Sequence, residues 1–211
     1  TLYGISAPGD STALGLLITI DPSTGAGTSV GSTNQTIRFD LSFRNGNGVL
    51  FGSGVSNSNV GDFIIDTGTG AGAPLSNDMG LFGPGNGMAF SAADMLYQAS
   101  ISSNPDGTLY TIDPSTGLAI SSTALTYTGF PNPVDLQFLR INAMDFDPLT
   151  DTLYASVRLG AFGVLGPNFL ATVDPLSGNV VNIGRTVDGL DAIAFVPTSN
   201  VPEPASLLLL G

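Results

Sequence analysis

The sequence predicts an all-β protein, a four-bladed β-propeller whose N- and C-terminal segments share one blade. Three observations carry the prediction: a unit of about 50 residues repeated four times, turn chemistry at the same place in each unit, and no amphipathic helical period.

A Leu-aromatic step opens each unit, at Leu2-Tyr3, Leu50-Phe51, Leu96-Tyr97 and Leu153-Tyr154, with spacings of 48, 46 and 57 residues. Downstream of each step an apolar run ends in aspartate and a turn: Ile20-Asp21-Pro22-Ser23-Thr24-Gly25, Ile65-Asp66-Thr67-Gly68, Ile112-Asp113-Pro114-Ser115-Thr116-Gly117 and Val173-Asp174-Pro175-Leu176-Ser177-Gly178. A third element precedes the later steps, as Leu41-Ser42-Phe43, Met88-Ala89-Phe90 and Met144-Asp145-Phe146. Its fourth copy, Ile193-Ala194-Phe195, has no Leu-aromatic step after it.

Each unit therefore reads as strand a ending in Phe, strand b from the Leu-aromatic step, strand c ending in Asp, and strand d after the turn. The chain enters at strand b of one blade and leaves its domain with a spare strand a. Pairing residues 191–196 beside residues 2–6 completes that blade and closes the ring, which removes sheet edges that invite aggregation. The propeller is expected over residues 1–197, with an extended tail over 198–211. Proline early in a turn presets φ and a later glycine supplies a left-handed residue. Alternation such as Leu17-Ile18-Thr19-Ile20 suits strands covered on both faces by neighbouring blades. The long third spacing places extra residues around Tyr127-Thr128-Gly129-Phe130-Pro131-Asn132-Pro133, expected as a protruding loop.

Composition narrows the function. The 211 residues are 42% hydrophobic and 10% charged, with mean hydropathy +0.31 and net charge −12. That is enough chain for one sizeable core, and the opposite of a disordered acidic tail. All five basic residues are arginines, so no basic stripe exists to displace counterions from nucleic acid. Cysteine, histidine and tryptophan are absent, which excludes disulfide scaffolds, Cys/His metal sites and tryptophan platforms for sugars. No leader precedes Thr1-Leu2-Tyr3, so an exported protein would be in its processed form.

The repeated Asp21, Asp66, Asp113 and Asp174 read as turn caps rather than a calcium ring, because equivalent turns lie far apart around a propeller rim. Four residues before the strand-a phenylalanine stand Asn86, Asn142 and Asp191, with Phe39 breaking the pattern; these are candidates for water or a hard cation in the central channel. Asp147-Pro148-Leu149-Thr150-Asp151 and Asn104-Pro105-Asp106-Gly107 read as hairpin turns, and Asn34-Gln35-Thr36 matches a glycosylation sequon. Tyr127 and Phe130 are the candidates for glycan contact. No catalytic residue is assigned. Glu203 is the sole glutamate, and no aspartate pair stands apart from the turn pattern.

The chain ends Val201-Pro202-Glu203-Pro204-Ala205-Ser206-Leu207-Leu208-Leu209-Leu210-Gly211. A Pro-Glu-Pro triplet leading into leucines resembles the PEP-CTERM sorting signal of exported Gram-negative proteins, many of them tied to exopolysaccharide and biofilm. The family's membrane helix and basic cluster are not in this tail, and four leucines fall far short of the ~20 apolar residues that span a bilayer. The resemblance implies an extracellular or cell-surface location. Four leucines also need cover, worth roughly 6–12 kcal/mol before ordering costs. We therefore expect a structural matrix protein that self-associates into a filament or tube, with Ala205, Ser206, Leu207, Leu208, Leu209 and Leu210 as the subunit contact. The alternative is a polysaccharide- or calcium-binding module of the biofilm matrix; a hydrolase using paired aspartates is the third reading.

Overall fold

The computed structural model describes residues 2–6, 15–34, 36–56, 59–75, 85–100, 107–131, 139–160, 166–188, 190 and 192–195. Among these every regular element is a strand, and the strands form four sheets arranged as the blades of a propeller. Blade 1 holds β1 (Leu2–Ser6), β2 (Leu16–Ile20) and β3 (Gly27–Ser32). Blade 2 holds β4 (Thr36–Phe43), β5 (Leu50–Ser56), β6 (Asn59–Ile65) and β7 (Gly72–Pro74). Blade 3 holds β8 (Gly85–Phe90), β9 (Leu96–Ser100), β10 (Thr108–Ile112) and β11 (Ala119–Ala124). Blade 4 holds β13 (Leu139–Phe146), β14 (Leu153–Leu159), β15 (Asn168–Val173) and β16 (Asn179–Arg185), with β12 (Thr126–Thr128) on its outer edge. Strands a to d of the sequence are thus the inner-to-outer strands of blades 2, 3 and 4, each antiparallel to the next.

The turns form as their residues dictate. The carboxylate of Asp21 accepts the Ser23 N–H at 2.8 Å, that of Asp66 the Gly68 and Thr69 N–H groups at 2.8 Å, and that of Asp113 the Ser115 N–H at 2.8 Å. Asp174 accepts the Leu176 N–H at 3.0 Å. Gly25, Gly70, Gly117 and Gly178 close these turns at φ between 69° and 81°. Gly31 and Gly70 also let blades 1 and 2 touch, because a Cβ on Gly31 would stand 2.1 Å from the Thr69 carbonyl oxygen.

The core lies between blades rather than within one. Leu17, Leu50, Phe63 and Ile65 fill the junction of blades 1 and 2; Phe51, Met88, Phe90, Leu96 and Ile112 fill that of blades 2 and 3. A larger cluster, including Ala99, Leu109, Met144 and Ala155, fills that of blades 3 and 4. One aromatic pair repeats at every junction, joining the strand-b ring of one blade to the strand-a phenylalanine of the next. The centroid distances are 5.7 Å for Tyr3–Phe43, 5.0 Å for Phe51–Phe90, 5.6 Å for Tyr97–Phe146 and 5.2 Å for Tyr154–Phe195.

The last pair bears on closure. Phe195 meets Tyr154 as the other strand-a phenylalanines meet their partners, so the C-terminal segment occupies the inner place of blade 1. Residues 192–195 carry no ladder to β1, but Ile193 and Phe195 line the same cavity as Leu2 and Tyr3. Residues 191 and 196, the ends of the expected closing strand, lie outside the described residues.

One expectation is corrected. Residues 126–131 do not protrude as a loop. β12 pairs in parallel with β16, and Phe130 packs edge-on to Tyr127 at 5.7 Å and to Phe169 at 5.6 Å. Asn182 donates to the Gly129 carbonyl at 2.9 Å. Two aromatic rings gain more by covering the outer strand of blade 4 than by standing in water. Residues 132 and 133 lie outside the described residues.

Candidate functional site: the axial cavity

The strand-a motif ends in phenylalanine in all four units, and the three inner strands β4, β8 and β13 gather with residues 192–195 around one cavity. The cavity measures about 600 Å³, with Phe43, Phe90, Phe146 and Phe195 in its wall. The four rings are not equivalent. Phe90 and Phe146 are 3% and 7% exposed, whereas Phe43 and Phe195, on the side of blades 1 and 2, are 41% and 37% exposed. Tyr3 supports Phe43 there. The cavity therefore has one aromatic side open to a ligand.

Its polar groups are acidic or neutral. Asp145 and Asp151 line the wall, with Asn45 and Ser42, and no arginine does. Asp145 accepts the Phe146 N–H at 2.9 Å and, across to the closing segment, the Phe195 N–H at 2.6 Å. Burial pushes its carboxyl above the usual carboxylate range, against the pull of those two donors. Asp151, at φ 53° in the a–b turn of blade 4, accepts the Ala92 N–H of blade 3 at 2.8 Å. The preceding turn repeats the link: Asp94, at φ 63°, accepts from Arg44 at 2.6 Å and from the Gly46 N–H at 3.2 Å. Asn45 in turn donates to the Ser91 carbonyl at 2.9 Å. These turns make the cavity rim a set of cross-blade hydrogen bonds, which holds the aromatic wall in place.

Deeper on the axis lies Asp40. Its carboxylate accepts the Leu41 N–H at 2.8 Å and the Met88 N–H at 2.9 Å, and is also hydrogen-bonded by the Met144 N–H. Leu41, Met88 and Met144 are the same position of the repeat, two residues before each phenylalanine. One carboxylate thus collects the inner strands of three blades. Burial pushes its carboxyl up to about 7, with the nearby Asp145 charge adding to the rise and the three N–H groups opposing it.

The channel candidates fare differently. Asn86 and Asn142 sit at matching bulges of β8 and β13, where the register jumps from Gly85 to Gly87 and from Ile141 to Ala143. Asp191 lies outside the described residues, so the three are not shown to meet. Asp40 was missed because β4 sets five residues, Ile37 to Leu41, against the three from Gly54 to Gly52 of β5. Counting back four from Phe43 lands on Phe39, one short of the acid. Asp21, Asp66 and Asp174 are exposed turn caps and Asp113 a half-buried one, their carboxyls lowered chiefly by the hydrogen bonds of their own turns. Tyr127 and Phe130 are partly buried against blade 4 and do not line the axial cavity. Asn34 of the sequon is exposed. The expected subunit contact, residues 205–210, lies outside the described residues.

No family model and no curated protein matches the chain. Solved structures do. A GH43 β-xylosidase/α-arabinofuranosidase from a compost microbial metagenome, crystallised with xylotriose in a calcium-free form, is 12% identical with a TM-score of 0.56, over 82% of this chain and 66% of that one. A nidogen/laminin complex is 11% identical at 0.55, over 87% and 60%. TolB from Acinetobacter baumannii is 17% identical at 0.54, over 87% and 40%. The chain spans 40% to 66% of the length of these proteins, whose functions differ from one another. What the likeness shows is the β-propeller fold.

Proposed function

We propose that this propeller is a non-catalytic binding module of the bacterial surface or extracellular matrix, and that its axial cavity takes a saccharide bearing an amine. The observation that carries the reading is the cavity wall: aromatic rings beside Asp145 and Asp151, with the rim arginine, Arg44, paired to Asp94. An exposed phenylalanine face stacks on the C–H face of a sugar, and an ammonium group gains from both the ring face and the carboxylates. A binding role suits the carboxylates better than catalysis does, since Asp145 already holds two backbone N–H groups. The export signal resembled by the tail supports the location.

Titration calorimetry with glucosamine oligomers and their N-acetylated counterparts tests this. Binding of the amine form, weakened at least tenfold by Phe43→Ala and by Asp151→Asn, is the expected result. Equal binding of the two forms, or none, refutes the reading. Turnover of glycosides that Asp145→Asn abolishes would instead favour a hydrolase.

A second reading, assembly into a homopolymer through residues 205–210, is favoured by the outer strand of blade 3. β11 is an edge strand, and Leu118 and Ile120 beside and within it are 50% and 60% exposed. Blade 4 accepts an added parallel strand at the same outer position, in β12. The tail of a second copy would add to β11 in that way. Deleting residues 206–211 should convert assemblies to monomers in light scattering; unchanged assemblies dispose of the idea.

A further inference from the structure

Blades 2 and 3 meet through a face that is apolar at the cavity end and polar at the other. Phe51 and Ser53 share one face of β5, and Asp62, the direct partner of Ser53 on β6, shares it too. Leu96, Gln98 and Ser100 share the facing side of β9, with Gln98 opposite Met88 and Tyr110. Phe51, Leu96 and Met88 pack together with Tyr110 against them, so the two faces are in contact and the polar residues continue the same junction. Ser53, Asp62 and Gln98 are 0% exposed and Ser100 is 3% exposed.

Among the described residues, the Ser53 Oγ, both Asp62 carboxylate oxygens, the Gln98 Oε1 and Nε2 and the Ser100 Oγ are all buried without a hydrogen-bond partner. Native interiors pair the large majority of their buried polar groups, so a cluster of unpaired ones in one place calls for an explanation. On the corresponding strands of blade 4, β14 and β15, the buried Ser156 and Asn168 both donate to the Leu190 carbonyl at 2.8 Å. The unused groups are dominated by acceptors, namely two carboxylate oxygens, one amide oxygen and two hydroxyls. No ion pair reaches Asp62 among the described residues. Such a set, with one negative charge and neutral oxygens around it, matches the needs of a hard cation better than those of an anion or an apolar molecule.

We propose that Ser53, Asp62, Gln98 and Ser100 form an inter-blade site for one hard cation of the calcium type, which ties blade 2 to blade 3. The site is separate from the axial cavity and does not depend on the function proposed for it. Burial pushes the Asp62 carboxyl up to about 7. Cation binding therefore displaces a proton below that pH, and affinity should climb as pH rises from 5.5 to 8. A surface carboxylate, already ionised across that range, would give no such climb.

Equilibrium dialysis of the chelator-treated full chain against Ca²⁺, Mg²⁺ and Na⁺, paired with thermal melts, decides the matter. The expected result is one Ca²⁺ per chain, bound more tightly than Mg²⁺ and more tightly at pH 8 than at pH 5.5, with a raised Tm. Asp62→Asn should weaken binding at least 30-fold, and the surface control Asp21→Asn should not. Gln98→Glu supplies a second carboxylate and should bind Ca²⁺ more tightly than the wild type while depending on it more for stability. The proposal is overturned if the wild type binds no cation, if Asp62→Asn binds as well as the wild type, or if Gln98→Glu is destabilised equally with and without Ca²⁺.

Discussion

Replacing Asp40 by alanine should destabilise the propeller strongly in mild acid and weakly above neutral pH. Alanine leaves the Met88 and Met144 N–H groups of two other blades without their acceptor. At roughly 1–3 kcal/mol for each buried unpaired donor, the loss is about 2–6 kcal/mol. The opposing effect is relief of a buried charge. The Asp40 carboxyl titrates at about 7 in the fold and at 3.8 in the unfolded chain, so the folded protein holds the extra proton between those values. Its stabilising contribution is complete below 3.8 and is lost as pH rises through about 7. At 1.36 kcal/mol per pH unit that loss is bounded by about 4 kcal/mol. Asp40 is partly exposed as a residue, so about half of the bound, ~2 kcal/mol, is the realistic figure. Asp62 titrates in the same range but is present in both proteins and cancels in the comparison. Urea unfolding of wild type and Asp40→Ala at pH 4.5, 6 and 7.5, followed by far-UV circular dichroism, measures the difference. It should shrink by about 2 kcal/mol across the series. A difference that stays flat or grows with pH refutes the assignment of a raised carboxyl to the axis.

Gly31→Ala drives a methyl into the Thr69 carbonyl and should cost roughly 1–3 kcal/mol by overpacking, read as a lower urea midpoint with an unchanged slope. Phe51→Ala empties the centre of the blade 2–3 junction, where Phe51 is 1% exposed, and should cost about 3–5 kcal/mol. Tyr154→Ala removes the ring that seats Phe195 at the closing junction. Protease cleavage near residue 195 should then accelerate well before global unfolding, and no acceleration would mean that the closing segment is held by something else. Phe130→Ala should release β12 from blade 4 and speed hydrogen exchange at residues 126–128 while leaving blades 1 and 2 unaffected.

The repeat made most of the architecture legible. The Leu-aromatic steps, the strand-a phenylalanines and the Asp turns each recur at one structural position, and the inter-blade aromatic pairs use the first two of these. The cavity wall was also in view, since Phe43, Phe90, Phe146 and Phe195 end the strand-a motif, although their convergence on one ligand-sized space was not. Asp40 was hidden by a longer bulge in β4, and Asp62 by the lack of any repeat partner, because Leu109 and Leu170 take its place in blades 3 and 4. Neither residue belongs to a motif.

By itself, then, the sequence determined blade number, the order of strands a to d within a blade and turn type, because alternation, proline and glycine act over a handful of neighbouring residues. Its charge balance, with five arginines against a net charge of −12, offers no basic stripe for nucleic acid, an expectation that needs no geometry. Tertiary structure decided which aspartates are buried, which phenylalanine faces stay open and where β12 goes. Those outcomes depend on what a blade some 50 residues away brings to the shared face. A bulge of one residue is enough to turn a side chain from one neighbour to another.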